Sequence, residues 1–500
     1  MKWVVSLEKW RFLMRRIRER LWVKPLLICA VSIIAVFGAK VSDTLPLARL
    51  APDVSNGSLE SLLSIMAASM LAIATFAVAS MVAAYSSAST TATPRAFPLV
   101  IADDVSQNAL STFVGAFIFS VVALVAMKNG YFDIAGRFTL FSMTVSVLGF
   151  VVFTFVRWTD RIARLGRLGA TVQQVEAATA SALQRRLKAP ALGGIARDPQ
   201  APATGVAVYA SEVGYVQQID TQALQAFAQD IGGWVVVDAL PGTFAMPGTA
   251  LAHVVQGAVS PGDTDAQRVV SAFTIGRDRI FDHDPRLGLI VLSEIAGRAL
   301  SPGVNDPGTA IGVLGTLVRL FTLWAQRDEN LAGQPVEFDR VVVPLLQVGD
   351  LFDDAFTAIA RDGAGAVEVG VRLQKSLRSL ASAGDDAMRV AAVKHAQHAL
   401  ARAQQALSLP HEVGTIRALA QSVGVPLATV IGDSFASRVA ASLLHAVALD
   451  SLVYENVAQY EAGVIHLLRH PEATIDDLME IIPAPDFPTA GIIYGINGVK

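Results

Sequence analysis

Four runs of apolar residues dominate the first third of the chain. Residues 21–41 (LWVKPLLICAVSIIAVFGAKV) carry no charge between Lys24 and Lys40. Residues 61–85 (SLLSIMAASMLAIATFAVASMVAAY), 109–127 (ALSTFVGAFIFSVVALVAM) and 138–156 (FTLFSMTVSVLGFVVFTFV) carry none at all. A bilayer core is about 30 Å thick and takes about 20 residues of apolar helix. The pattern therefore predicts a four-helix transmembrane domain over 21–168. Residues 1–20 form a basic stretch in which Trp3 and Trp10 alternate with Lys and Arg. It reads as an amphipathic helix on an anionic leaflet, or as a flank that only fixes topology.

After Arg167 the pattern changes. Residues 169–204 read as an Ala/Gln-rich helix (170–189) followed by a linker rich in Pro and Gly (190–204). Residues 205–260 read as a small β-rich module. Its strands are Val206–Tyr209, Gly214–Ile219, Gly233–Val237 and a turn-bounded piece at Gly242–Gly248, with a helix at Thr221–Asp230. Residues 261–409 read as helical. One helix runs from Pro285 to Leu300 and stops at Ser301-Pro302-Gly303. The next starts at Asp306-Pro307, an N-cap residue followed by proline in the first turn. Further helices are expected near 344–361, 365–383 and 385–408. The fold class is thus an α-helical membrane protein with four N-terminal spans and a cytoplasmic α+β region.

Composition sharpens this picture. The 500 residues are 53% hydrophobic and 17% charged, with a net charge of −3 and one cysteine. Soluble chains are about 45–50% apolar and about 25% charged. An intrachain disulfide is excluded, and the charge disfavours a nucleic-acid binder. Lys and Arg crowd the N-terminus and the far end of the fourth run (Arg157, Arg161, Arg164, Arg167). Both termini are therefore expected to face the cytoplasm.

Two sets of residues could carry function. In the second run, Ser64, Ser69, Thr75 and Ser80 supply hydroxyls without charge. They could line a narrow polar path through an oligomer, or merely allow close helix packing. In the helical region, Asp284, Arg298, Ser301, Asn305 and Asp306 could form a polar pocket at a helix N-terminus, or only join two helices. Phe281-Asp-His-Asp-Pro285 is a weak metal triplet and reads better as a loop leading into a helix. His395 and His398, three apart, read as a solvated face, and Asp350, Asp353 and Asp354 as complements of a helix dipole. The sequence holds no GxxxxGK[ST], HExxH, GxSxG or CxxC. Neither a catalytic residue, nor a metal site, nor a cofactor is assigned.

Several segments carry resemblances. Arg298-Ala-Leu-Ser-Pro-Gly-Val-Asn-Asp-Pro-Gly-Thr-Ala310 resembles the hallmark of a bacterial family of predicted membrane proteins, domain of unknown function 2254. Thr93-Pro-Arg95, Asp103/Asp104, Gln107, Phe113–Phe117, Ile275–Arg277, Asp284-Pro285, Gly288 and Phe352–Phe356 extend that likeness over about residues 1–409. It implies a bacterial inner-membrane protein with a cytoplasmic part and no assigned activity. The pieces Gly214–Asp220 and Gly242–Gly248 are similar to parts of biotinyl and lipoyl carriers, without the attachment lysine. Beyond residue 409 the likeness changes. Residues 424–462 resemble the C-terminal lobe of Spindly-type O-linked N-acetylglucosaminyltransferases. Residues 463–500 resemble the A-type chain of type IIA DNA topoisomerases. Both pieces lack the catalytic parts, so residues 410–500 read as a chimeric tail of foreign fragments. The expected partners are the lipid bilayer, further copies of the chain and a small ion, with no nucleic acid. Three functional readings stand: an oligomeric pore with a cytoplasmic regulatory domain, a membrane-anchored enzyme at Arg298–Asp306, and a signalling or scaffold protein.

Overall fold

The computed structural model describes residues 22–44, 52–101, 103–164, 167–199, 204–255, 263–326 and 336–424. The chain forms two compact units, Met1–Val175 and Glu176–Lys500.

The first unit is built from α1 (Val23–Gly38, extended by a 3-10 turn Ala39–Thr44), α2 (Asn56–Thr91), the short α3 (Phe97–Ile101), α4 (Asp104–Lys128) and α5 (Ile134–Arg164). Helix α4 is central and packs against α1, α2 and α5. Its Gly115 lets α1 come close, because a Cβ there would overlap Ile28. Helix α2 buries Leu59, Leu63, Met66, Met70, Ala74, Ala77, Met81 and Ala84. Steps of three and four residues put these side chains on one stripe. Inside the bundle, hydroxyls bond one turn back along their own helix. Ser111 Oγ donates to the Gln107 carbonyl (2.7 Å), Ser120 to Ala116 (2.8 Å) and Thr144 to Leu140 (2.7 Å). A polar group without water must find such a partner.

Both ends of the bundle are tied by charge. Asp43 accepts the backbone N–H groups of Asp133 (3.1 Å) and Gly136 (2.6 Å), so it caps α5 from a distant segment. Lys40 donates to Asp133 at 2.9 Å. At the other end Asp103 caps α4 through Ser106 N–H (3.0 Å) and meets Arg161 at 2.7 Å. Lys24 pairs with Asp104 there.

Helix α6 (Leu168–Lys188) leads into the second unit. The strands are β1 (Gly194–Ala196), β2 (Val206–Tyr209), β3 (Gly214–Ile219), β4 (Trp234–Val237), β5 (Phe244–Ala245), β6 (Ala250–Val255), β7 (Phe273–Gly276) and β8 (Phe338–Val343). One sheet has the order β1-β8-β4-β6-β2, the other β5-β3-β7. Strand β8 pairs in parallel with β1 and β4, and the other pairs are antiparallel. Helices α7 (Thr221–Asp230) and α8 (Asp263–Ala272) flank them, and Leu224 and Phe227 meet Val235, Val254, Val341 and Val343 in one core. Helices α9 (Pro285–Ala299), α10 (Pro307–Ala325), α11 (Val348–Asp362), α12 (Val367–Ala383), α13 (Asp386–Ala406) and α14 (Pro410–Ser422) follow.

Four differences from the sequence reading matter. Strands β7 and β8 fall within 261–409, which had read as helical, and complete sheets begun by the β-rich module. The parallel pairing with β8 also ends the likeness to a self-contained carrier module. Helix α14 packs on α12 and α13, with Ile416 buried against Gly370, so the helical part continues past residue 409. Finally, five helices among the described residues are long and apolar enough to cross a membrane: the four expected ones and α10. The basic stretch 1–20 and the two foreign-like pieces from residue 425 onward lie outside the described residues.

Candidate functional site

The loop between α9 and α10 is a self-satisfied connector. Ser301 Oγ donates to the Arg298 carbonyl (2.7 Å). The Ser301 carbonyl accepts N–H groups from Val304 (3.0 Å) and Asn305 (2.8 Å), and the Asp306 N–H returns to Ala299 (2.8 Å). Asn305 adopts φ 50°, the left-handed region that asparagine tolerates better than most residues. Asp306 caps α10, accepting the Thr309 N–H (3.0 Å) and hydroxyl (2.6 Å). The Thr309 hydroxyl, then its N–H, hold the Asp306 carboxyl below the usual carboxylate range. Arg298 and Asn305 are exposed.

The structure thus gathers Arg298, Ser301, Asn305 and Asp306 in one loop and does not bring Asp284 to them. Asp284 caps the opposite end of α9. Fourteen residues at 1.5 Å rise place it about 20 Å from Arg298. It is almost fully buried. Arg279 donates to both its oxygens (2.6 and 3.0 Å), and the Leu287 N–H reaches Oδ1 at 3.2 Å. Gly242 lies so close that a Cβ would strike the carboxylate.

A charge network that the sequence did not disclose surrounds this capped end. Arg286 donates to Asp354 (2.5 Å) and to Asp350 (2.9 Å). Burial pushes the Asp354 carboxyl above its ordinary range although Arg286 opposes the shift. Arg185 donates twice to the Asp282 carbonyl (2.9 and 2.6 Å). Arg186 lies inward on α6 in line with Val175, Thr179, Ala182 and Leu183. That helical spacing was the available sequence signal: an arginine on a stripe that is otherwise uncharged.

His395 corrects the expectation of a solvated face. It is buried against Phe352 and Phe356, because it shares the inward stripe of α13 with Met388, Ala392 and Ala399. Its Nε2 lies 3.0 Å from Asp353. Among the described residues, no group of three or more His, Cys, Asp or Glu is placed to hold a metal ion.

In the first unit the four hydroxyl residues flank the buried stripe of α2 on two sides, Ser64 and Thr75 on one and Ser69 and Ser80 on the other. Ser64, Ser69 and Thr75 are exposed and Ser80 is half-buried. Thr75 Oγ1 turns back to the carbonyls of Leu71 (3.1 Å) and Ala72 (2.8 Å). Ala68, Ala72 and Ala79 share the exposed surface. The same surface of α2 also carries Ile65, Leu71, Phe76, Val78 and Val82, and the outer faces of α1 and α5 likewise present Leu26, Leu27 and Ile34, and Phe150, Phe153 and Val156.

Comparison with known proteins agrees with the membrane reading. The family described as predicted membrane protein (DUF2254) matches residues 18–379. Uncharacterised proteins of Mycobacterium tuberculosis and Mycobacterium bovis are each 34% identical over 139 residues, covering 26% of this chain and 25% of theirs. The chain therefore spans about a quarter of the length of these relatives. The A-type chain of DNA topoisomerase 4 from Streptococcus pyogenes is 42% identical over 45 residues, 9% of this chain and 6% of that protein. No solved structure matches the chain.

Proposed function

Since this chain belongs to the DUF2254 family of predicted membrane proteins, we propose that its copies associate in the bacterial inner membrane around α2 and form an ion path. Both termini and the second unit lie in the cytoplasm, on the side marked by the Lys and Arg clusters. Four helices span. Helix α10 instead belongs to the cytoplasmic part, because Val313, Leu314, Leu317, Leu320 and Phe321 are buried by protein and Arg319 pairs with Glu176 (2.6 and 2.8 Å).

The observation that carries the proposal is the set of small residues that α2 exposes, Ser64, Ala68, Ser69, Ala72, Thr75 and Ala79, between its larger apolar side chains. Alanine and serine let helices of neighbouring copies approach closely. Closed symmetry is the rule in homo-oligomers and would put one α2 per copy around the axis. The bulky faces of α1 and α5 then meet lipid. The partners are the bilayer, further copies and a small ion. Nucleic acid is not among the partners proposed, in keeping with the net charge of −3. A membrane-anchored enzyme would need Asp284 beside Arg298, and α9 holds them apart. A signalling or scaffold role would draw on Val206, Tyr209, Val213, Trp234 and Phe244, which the second unit exposes.

The test is ion flux from liposomes carrying the full chain, against a panel of cations and anions. Selective flux is expected, reduced by Ser69→Phe or Thr75→Phe. Absence of flux from folded protein, or flux indifferent to both substitutions, would overturn the proposal.

A further inference from the structure

The second unit exposes apolar side chains at one end of its smaller sheet. Strand β5 is the outer strand of the order β5-β3-β7, and it pairs with β3 through Gly214–Ala245 and Tyr215–Phe244. One step further along that register Val213 stands opposite Met246. Residues two apart on a strand share a face, so Val213, Tyr215, Phe244 and Met246 line one. Ala245, between Phe244 and Met246, is fully buried in the core on the other. Val213 is 66% exposed, Phe244 50% and Met246 49%. The rings of Tyr215 and Phe244 meet edge to face with centroids 5.2 Å apart. Tyr209, also exposed, borders the group: the Ala210 N–H donates to the Thr249 carbonyl, and the Thr249 N–H to that of Met246. These side chains together expose on the order of 400 Å² of apolar surface.

A patch of that area marks contact with protein or with membrane. The charges that adjoin it in sequence and register argue against an anionic leaflet. Exposed Glu212 precedes Val213, and exposed Arg277 and Asp278 follow Gly276, the β7 partner of Tyr215, so acids outnumber bases. We propose that the patch docks against the same patch on a second copy of the chain, an inference that rests on the association of copies around α2. Protein contacts are about 57% apolar, so this patch corresponds to an interface of about 700 Å² per copy and about 1,400 Å² in all, within the range of stable contacts. Copies already joined through their spans hold the patches at high effective concentration. The few like charges sit at a solvated rim, where their repulsion is screened. The contact is isologous and joins copies in pairs.

The experiment is disulfide trapping of the full chain in liposomes, with Cys29 replaced by serine. Val213→Cys and Met246→Cys, each alone and the two variants mixed, are oxidised with copper phenanthroline. Ala72→Cys on α2 reports the association of the spans. A linked dimer is expected at the patch, formed about tenfold more slowly once Phe244→Glu is added. Linkage at Ala72 with none at the patch in any combination would overturn this inference and leave the α2 assembly standing. Linkage at the patch alone would uphold the contact and overturn the α2 assembly, and linkage at neither would overturn both. Patch linkage indifferent to Phe244→Glu would be chance collision, and quenching of a fluorophore on Met246→Cys by brominated lipid would name the bilayer as the occupant. Either result would overturn the inference.

Discussion

Asp284 is the residue whose loss should cost the second unit most. It does two jobs that substitution can separate. As a cap it accepts the Leu287 N–H, and as a buried anion it holds the Arg279 fork. Losing an N-cap costs about 1 kcal/mol, and removing one partner of a buried ion pair costs about 3–5 kcal/mol. Arg279 retains some solvent access, so the low end of that range applies. Asp284→Asn keeps a capping oxygen and loses the charge, for an expected cost of about 3 kcal/mol. Asp284→Ala loses both, for about 4 kcal/mol. Urea titration of the full chain in detergent measures each value, and hydrogen exchange in the first turn of α9 locates the damage. A cost below about 1 kcal/mol for Asp284→Ala would refute the reasoning, because either contribution alone should reach that size.

Three further outcomes follow from the packing and charge. Gly288→Val should destabilise the second unit by about 1–3 kcal/mol, since a Cβ there overlaps Thr179 on α6; a melting curve unchanged from the parent would exclude that contact. Gly136→Ala should displace Asp43 from the start of α5 and cost about 1–2 kcal/mol, read as faster proteolysis between α4 and α5. His395 should make stability pH-dependent. Burial holds its pKa below the ordinary 6.5, with Lys394 and His398 adding to the shift and Asp353 opposing it. The unfolded chain therefore takes up a proton first, and stability present above pH 6.5 is lost as pH falls toward the folded-state value. His395→Phe should flatten melting temperature between about pH 5 and 7 by about the whole of that slope; an unaltered slope would assign the effect to another group.

Much of the architecture could be read along the chain. Charge-free runs marked α1, α2, α4 and α5, and the Asp-Pro pairs at 284–285 and 306–307 marked two helix starts, because each signal is local. What escaped depended on distant partners. Strand β8 includes Asp339 and Arg340, so it lacks a continuous apolar run, and only its pairing with β1 and β4 defines it. Asp350 and Asp354 read as dipole complements until Arg286, more than sixty residues earlier, is placed beside them. Buried Ser111, Ser120 and Thr144 gave no sequence sign of being the interior hydroxyls, whereas Ser64, Ser69 and Thr75 lie outside. The hallmark segment was legible as a connector, yet its position at the far end of α9 from Asp284 needed the helix to be counted out.

Whether the outer face of α2 is wet can be measured directly. In a background with Cys29 replaced by serine, Ser69→Cys and Thr75→Cys are each treated in liposomes with a charged, membrane-impermeant thiol reagent, beside Phe153→Cys on α5. If copies surround a polar path at α2, the first two react at a rate approaching that of a water-exposed thiol and Phe153→Cys does not. If all three stay unreactive, or the α5 position reacts and the α2 positions do not, α2 faces lipid and the account of its function is wrong.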